Sequence, residues 1–310
     1  MAGGVIVRND FRAFMATGLK VIFDENIKDM KEEFTDFFAM ETSDKAYETE
    51  LGFVGMGAPG YNAELDLPRM DAPRQGRPVT YIAQKFGLGC AISFESKADD
   101  RYGKIANSII PELALSFKRE RNTQAANLLN NAFTTIGYEP DGVPLVSSAH
   151  PLIRGGTFSN LLTAPLSTAG LQAARTRLRK NLTESGKIQP LTATTLIVPP
   201  SLESLAEELV KSSQKPGQTG SGAGLVTTPS EVNLGWQRGL KVVVMNYLTD
   251  NGQWFLCADK EYRKVKWFDR MKLTPTTIID DEIQAIKFYS RARWSYGFSD
   301  FRGITGYAGS

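Results

Sequence analysis

The stretch FESKADDRYGKIANSIIPELALSFKRERNTQAANLLNNAF, residues 94–133, predicts the longest helix of the chain. Its second half carries apolar side chains at the i, i+3, i+4 spacing that collects them on one helical face. This face consists of Ala125, Leu128, Leu129, Ala132 and Phe133. We expect Leu128, Leu129 and Phe133 to form the buried core of a helix over residues 98–134.

Short signals mark the ends of this helix. Asp99 and Asp100 suit its start, because acidic side chains complement the positive end of the helix dipole. Gly137 suits its end. Pro111 either kinks the helix or lies in the first turn of a second one. The charged run at 118–121 is expected to be solvated or to contact a partner.

The segment before this helix, residues 51–97, predicts a long two-armed loop. Its first part, LGFVGMGAPGYNAELDLPRMDAPRQGRP, is rich in glycine and proline, and its last part, FGLGCAISFES, alternates like a strand. We place the turn at residues 68–78, where Arg69, Arg74 and Arg77 are available to meet acidic groups of a neighbouring subunit. A glycine-rich ribbon is marginal alone in water, so such a loop is expected to lie on a neighbour.

Residues 1–50 form an acidic segment with 11 acidic and 6 basic side chains. Its apolar residues come in short islands, such as Phe11, Phe14 and residues 34–38, which cannot bury themselves within so charged a segment. We expect the rest of the chain, or another chain, to cover them. Phe11 and Phe14 are therefore candidate intersubunit contacts.

The second half of the chain mixes helix and strand signals. Residues 171–182 and 202–209 have amphipathic helical spacing, and ATTLIVPP at 193–200 is typical of a short buried strand. LKVVVMNYL and QWFLCAD flank TDNG at 249–252, which predicts a hairpin because Asn-Gly suits a tight turn. AIKFYSRARWSYGF at 285–298 predicts a long strand with one buried face.

Composition limits the class of protein. The 310 residues are 42% hydrophobic and 23% charged with a net charge of +2, which is ordinary for a folded soluble protein and gives no strong attraction to nucleic acid. Cys90 and Cys257 lie far apart in apolar runs, as expected of core residues in a reduced intracellular protein. No apolar run approaches the roughly 20 residues that span a bilayer.

The stretch VPLVSSAHPL, residues 143–152, contains the single histidine of the chain, His150, two residues after Ser148. A serine hydrolase needs a histidine held by a carboxylate and a nucleophile on a strained turn. Ser148 and His150 are too close in sequence for a familiar triad, and no G-x-S-x-G pattern surrounds them. We interpret the stretch as a turn whose histidine donates to a backbone carbonyl. A serine hydrolase using Ser148 and His150 is the alternative.

Other chemical sites have weak support. One histidine and two isolated cysteines cannot make a closed zinc site, and the acidic pairs at 99–100 and 280–282 are more often caps or turns than magnesium ligands. The glycine-rich loop 217–224 lacks the G-K-[ST] ending of a phosphate loop. The basic stretch 151–190 lacks interleaved exposed aromatics. We predict no catalytic, cofactor or metal site.

Several segments taken together resemble the major capsid protein of tailed phages, in particular its Mu-like major head subunit branch. They are the helix stretch quoted above, followed in order by DGVPLVSSAHPL, GGTFSNLL, LSTAGLQAARTRLRK, TTLIVPPSLESLAEELV and QWFLCAD. The similarity covers roughly residues 85–300. Each segment alone is degenerate, whereas their order and spacing are specific.

The resemblance implies an α+β fold of the Hong Kong 97 type and assigns its parts in chain order. Residues 1–50 correspond to the N-terminal arm and 51–97 to the extended loop. Residues 98–165 with 263–310 correspond to the peripheral domain, which contains the long spine helix. Residues 166–262 correspond to the axial domain.

The implied function is that of a non-enzymatic subunit that self-assembles into hexamers and pentamers of an icosahedral phage head. The head would enclose double-stranded DNA without sequence specificity. We expect a virion capsid location after assembly in the host cytoplasm, with scaffolding, portal and decoration proteins as further partners, no cofactor and no membrane. An encapsulin-like bacterial compartment shell is the alternative within the same fold. Some family members cross-link through lysine and asparagine, but Lys85 is the only lysine in residues 51–95, so this chemistry is not carried over.

Overall fold

The computed structural model describes residues 32–212 and 239–309, apart from residues 69, 73, 94, 96–98, 100–103 and 138. Strands β1 (Ala39–Thr42), β2 (Tyr47–Val54), β3 (Arg74–Ile82) and β4 (Gln84–Ser93) precede helix α1 (Lys104–Asn130). The middle of the chain holds β5 (His150–Pro151), β6 (Thr157–Phe158), β7 (Leu161–Leu162), α2 (Thr168–Arg179), β8 (Ala193–Val198) and α3 (Glu203–Lys211). The last part holds β9 (Lys241–Val244), β10 (Trp254–Ala258), α4 (Lys260–Arg263), β11 (Val265–Asp280), β12 (Ala285–Phe298) and β13 (Ile304–Tyr307). The fold is α+β.

Helix α1 is a single helix of 27 residues, about 40 Å long at 1.5 Å per residue. It runs through Pro111, so a second helix does not begin there. Ile110 and Leu113, on either side of the proline, are buried. Packing on both sides of Pro111 thus offsets the free-energy cost of the hydrogen bond that a proline removes from a helix.

The C-terminal end of α1 lies in the core. Leu128 and Leu129 are buried, at 2% and 0% exposure. The helix ends at Asn130, earlier than the sequence pattern indicates, and the side chain of Asn130 bonds the backbone at Tyr247 instead. Phe133 follows the helix and is half-buried, with its ring 5.7 Å from that of Phe255.

A four-stranded sheet in the order β1-β11-β12-β4 packs beside α1. Strand β4 pairs with β12 along its whole length, from Gln84 opposite Trp294 to Ser93 opposite Ala285. The prediction that this strand is the second arm of the extended loop is therefore wrong. That arm is β3, which pairs antiparallel with β2 in a separate ribbon. Pro78 lies inside β3, where it is tolerated because the strand pairs on one side.

A five-stranded sheet has the order β7-β13-β10-β8-β9. The predicted hairpin between β9 and β10 is wrong, because β8 lies between them. Strand β8 suits this interior position since Leu196 and Ile197 point to opposite faces and both are fully buried. Strands β7 and β13 also belong to this sheet, so it crosses the predicted boundary between peripheral and axial domains.

Two hydrophobic cores meet across the five-stranded sheet. Helices α2 and α3 cover one face, with Leu171 and Leu209 among the buried residues. Ser167 caps the N-terminus of α2, since its hydroxyl accepts the Gly170 N–H at 3.1 Å. The other face joins the core that α1 shares with the four-stranded sheet. None of the described helices is long and apolar enough to cross a membrane.

Candidate functional site

The connection between β2 and β3 exposes large apolar side chains. We call residues 55–72 the loop tip; its described part contains no helix or strand. Tyr61 and Leu65 are fully exposed, at 96% and 101%, and Met56, Leu67 and Met70 are also exposed. Exposed apolar groups gathered in one segment are typical of a surface that another molecule covers. The sequence pattern does not single out these apolar residues, because the glycines and prolines between them leave no periodic spacing.

The base of this loop, the ribbon of β2 and β3, is fixed to the four-stranded sheet. Val79 and Tyr81 on β3 form a small buried cluster with Phe268 on β11, and the rings of Tyr81 and Phe268 lie 5.1 Å apart. Tyr81 also packs on Gly297 of β12, where an added Cβ would come within 2.9 Å of the ring. The loop is therefore a projecting ribbon with an anchored base.

Lys266 adds an electrostatic link at the same base. Its ammonium pairs with Glu41 on β1 at 2.7 Å and with Glu50 on β2. The Tyr81 hydroxyl donates to Glu50 at 3.3 Å. Burial acts to lower the pKa of Lys266, but hydrogen bonds to the two carboxylates outweigh it and raise the pKa above its ordinary value. One ammonium thus ties β1, β2 and β11 together.

The loop tip also touches its own chain through Asp71. The Asp71 carboxylate pairs with the Arg154 guanidinium at 3.3 Å and accepts the backbone N–H of Gly57. Both side chains of the ion pair are one-quarter exposed, and such surface pairs contribute only about 0–1 kcal/mol. The contact orients the tip without covering its apolar residues.

The predicted contact residues of the loop fall in different environments. Arg77 donates to the backbone carbonyl of Pro151 at 3.0 Å, so it has a partner within its own chain. Arg74 is exposed. The other predicted contact residues, Arg69, Phe11 and Phe14, and the glycine-rich loop 217–224 lie outside the described residues.

The segment before β1 is covered by its own chain. Phe34, Phe37 and Phe38 are completely buried, and the Phe34 ring lies 4.5 Å from that of Trp267. Of the two possibilities left open for the island at 34–38, the structure shows the intramolecular one. The same segment reaches the five-stranded sheet, because Asp36 pairs with Lys241 on β9 at 2.6 Å.

The charged run in α1 turns partly inward, against expectation. Lys118 is buried, and the Arg121 guanidinium pairs with Glu32 at 3.0 Å and Asp269 at 3.1 Å. It also lies 5.2 Å from the centre of the Trp267 ring. The sequence pattern misses this site because its aromatic and acidic partners come from distant segments. Burial, and secondarily Asp269, raises the pKa of Glu32 although Arg121 opposes the shift.

His150 lies in a closed polar network. It is completely buried, and Nδ1 lies 2.6 Å from the Asp141 carboxylate. Nε2 lies 3.0 Å from the side-chain oxygen of Asn160, whose amide nitrogen donates to the carbonyl of Leu145. The ring stacks on Phe301 with centroids 3.7 Å apart. The histidine is structural, but its partners are a carboxylate and an amide, so the predicted backbone carbonyl partner is wrong.

This arrangement does not match a serine hydrolase. Asp141 supplies the carboxylate that a triad requires, yet Nε2 faces Asn160 where the nucleophilic hydroxyl would have to lie. Ser148 is exposed, whereas the ring of His150 has no exposed surface. The network joins the 141–160 loops to one another.

Residues 77–306 match the family model for phage capsid proteins. The chain belongs to the phage capsid protein family. The matched range begins in β3 and ends in β13, so it includes α1 and both large sheets of this capsid protein. No curated protein sequence matches the chain.

Several solved structures share the fold of this capsid protein. A chain of Microbacterium phage Oxtober96 has a TM-score of 0.55 at 10% identity, covering 87% of this chain and 88% of that one. A chain from the capsid of an empty GTA particle has a TM-score of 0.55 at 14% identity, with 89% of each chain covered. A chain from the procapsid of bacteriophage JBD30 has a TM-score of 0.51 at 12% identity, covering 97% of this chain and 75% of that one.

As a capsid protein the chain has a structural role, not an enzymatic one, so its functional site is a set of surfaces. Within the part of the chain that the structure describes, no group of three or more His, Cys, Asp or Glu residues is placed to hold a metal ion. Burial raises the pKa of the Cys257 thiol to about 11, which keeps it protonated and unreactive. The loop tip, with its exposed apolar side chains, and the buried cluster at its base are the candidate functional features.

Proposed function

We propose that this capsid protein assembles with copies of itself into hexamers and pentamers that close into an icosahedral head around double-stranded DNA. The observation that carries the proposal is the extended loop. Tyr81 and Lys266 fix its base to the chain's own sheet, while Tyr61, Leu65 and Leu67 extend uncovered from its tip. A fixed base and an uncovered apolar end suit contact with a neighbouring copy.

The proposed domains keep the order of the Hong Kong 97-type fold in its Mu-like branch, with two refinements. The extended loop comprises β2, the loop tip and β3, residues 47–82, and β4 belongs with the peripheral sheet. The axial sheet includes β7 and β13 in addition to strands from residues 166–262. The N-terminal arm then lies ahead of β1.

The proposal includes further partners. Packaged DNA is bound without sequence specificity, in keeping with the near-neutral net charge of +2. Assembly takes place in the host cytoplasm, with scaffolding, portal and decoration proteins completing the head. Extraction of double-stranded DNA from purified particles would support a phage head, whereas particles holding only protein cargo would support an encapsulin-like shell.

The assembly role is tested by replacing residues 58–70 with a short Gly-Ser turn, which keeps Gly57 and Asp71. The variant should fold with a nearly unchanged melting temperature, because the described side chains among those removed are exposed. It should fail to form closed shells, leaving monomers or isolated capsomers in sedimentation and electron microscopy. The matched control is Ile136→Ser, another exposed apolar residue, which should leave shells intact.

Three results would contradict the proposal. Normal shells from the loop variant would mean that the tip makes no assembly contact. An unfolded variant would mean that the tip belongs to the core of the subunit. Absence of rings or shells from the unaltered chain under all assembly conditions would contradict the assembly function itself.

A further inference from the structure

Helix α2 presents an unbalanced positive charge. It contains three arginines and no acidic residue, and Lys180 follows as its C-terminal cap. Arg179, Lys180 and Lys187 are exposed, and none of them forms an ion pair with a residue that the structure describes. We call these three residues the basic end. Exposed cations that have no carboxylate partner suit contact with an anionic surface.

Helix α3 presents the opposite charge. Glu203 and Glu208 are exposed and make no ion pair with any described residue, whereas Glu207 pairs with Lys211 in the same helix. We call Glu203 and Glu208 the acidic end. The two helices thus carry free charges of opposite sign within one domain.

The sheet separates the two ends. Both helices pack on the same face of the five-stranded sheet, because Leu178 of α2 and Leu209 of α3 share one core with Leu196 and Trp254. Helix α2 contacts β7, β13 and β10, and α3 contacts β8 and β9. In the order β7-β13-β10-β8-β9 they lie toward opposite edges, and the five strands span about 20 Å at ~4.8 Å per strand.

We infer that the basic end of one subunit docks against the acidic end of the next copy around a ring. This inference rests on the proposed assembly function and names the surfaces that meet. A rotation that brings opposite edges of successive copies together makes a head-to-tail contact, and such contacts form a ring when successive rotations complete a full turn. A two-fold pairing of α2 with α2 would place like charges together. The charges therefore favour a contact of α2 with α3 over one of α2 with α2, and they accelerate correct encounters.

Charge reversal tests the contact. One variant carries Arg179→Glu with Lys180→Glu, and a second carries Glu203→Lys with Glu208→Lys. Each alone should slow assembly about tenfold or more at ~0.1 M salt, measured by light scattering. The variant with all four changes should recover most of the rate, because the ends are complementary again. The control, Lys85→Glu with Lys272→Glu, alters two exposed lysines of the other sheet and should assemble normally.

A cross-linking measurement identifies the contact directly. Shells grown from equal parts of isotopically heavy and light chains are treated with a zero-length carbodiimide, which joins Lys180 to a carboxylate that it touches. We expect peptides linking Lys180 to Glu203 or Glu208 in mixed heavy-light pairs. If a reversed variant fails to fold, Arg179→Gln with Lys180→Gln replaces it and should also slow assembly.

The outcomes separate the two proposals. If the unaltered chain forms no rings or shells, the assembly function fails. If it forms normal shells while the reversed variants assemble at an unchanged rate, only the α2–α3 contact is overturned. The α2–α3 contact is also overturned if the variant with all four changes assembles as slowly as the variants with two changes. Cross-links that occur only within single chains would overturn it as well.

Discussion

The guanidinium of Arg263 donates a hydrogen bond to the backbone carbonyl of Phe37, with 3.0 Å between nitrogen and oxygen. The same side chain donates to the carbonyl of Ala258 at 3.1 Å and to the Thr195 hydroxyl at 3.3 Å. Arg263 is only 1% exposed. It therefore joins the segment before β1 to the five-stranded sheet through bonds that water cannot replace.

Replacing Arg263 by Met should destabilise the subunit by about 3–5 kcal/mol, because it leaves several buried oxygens without donors. Arg263→Lys should cost less, since the ammonium retains a charge and some of the donors. Urea unfolding of the unassembled variants measures both changes. Equal losses for Met and Lys would show that the donors at this position do not matter.

Leu128→Ala should lower the free energy of unfolding by about 2–5 kcal/mol, since Leu128 is 2% exposed in the main core. Phe133→Ala should lower the free energy of unfolding by less than the same substitution at a fully buried phenylalanine, because the Phe133 ring is only half-buried. Leu88→Ala is the control, and its half-exposed side chain should change stability by less than about 0.5 kcal/mol. An unshifted thermal transition for Leu128→Ala would contradict the packing of α1.

His150→Ala should destabilise the chain by about 3–5 kcal/mol, because it leaves the Asp141 carboxylate buried without its partner. Adding Asp141→Leu to this variant should restore part of the loss, since the uncompensated charge is then removed. Ser148→Ala should be neutral. If the double variant loses more free energy of unfolding than the two single variants lose together, Asp141 has another essential partner.

Glu32 gives a pH-dependent prediction. Its pKa in the folded chain lies above the ordinary 4.5, so the folded state holds the proton more tightly than the unfolded state. The free energy of unfolding should therefore fall as pH rises from 4.5 through the folded pKa. Glu32→Gln cannot ionise, so its stability relative to the unaltered chain should rise across this window.

The measurement is urea unfolding of both proteins between about pH 4 and pH 7. Glu112→Gln, at an exposed ion pair, is the control and should leave the pH profile unchanged. If Glu32→Gln loses stability relative to the unaltered chain as pH rises, the ion pair with Arg121 outweighs the cost of burial.

Particles should contain no isopeptide cross-links. Lys85, the only lysine in residues 51–95, lies exposed on β4, which pairs with β12 and not with the loop ribbon. Particles boiled in detergent should run as one band near 34.1 kDa. A ladder of covalent multimers would contradict this prediction.

The long helix is predictable because its signal is local. Leu128 and Leu129 follow a helical period that needs no knowledge of their partners. Strand β3 is not predictable in this way, since Gly76 and Pro78 interrupt its pattern. The structure explains the glycine, because an added Cβ on Gly76 would lie 2.7 Å from the backbone of Gly52 on the paired strand. Only the paired structure shows why this residue fits a strand.

The polar sites depend on contacts between distant segments. Arg121 meets Asp269 and the ring of Trp267 only after α1 packs on β11. Likewise, the position of Asn160 beside His150 follows from a fold of the 141–160 loops that no periodic pattern encodes. The sequence therefore indicates that His150 is structural but cannot name its partners.

The place of β13 in the five-stranded sheet has a consequence for synthesis. This strand, Ile304–Tyr307, lies between β10 and β7 and follows every other strand of the sheet in the chain, so β7 cannot join the sheet until residues 304–307 have been synthesised. Until then one edge of β10 stays open to pairing. The five-stranded sheet is therefore completed only after β13 has been synthesised, and until that point the subunit cannot fold fully. A chain truncated after residue 303 should be cut near β7 by protease much faster than the full chain.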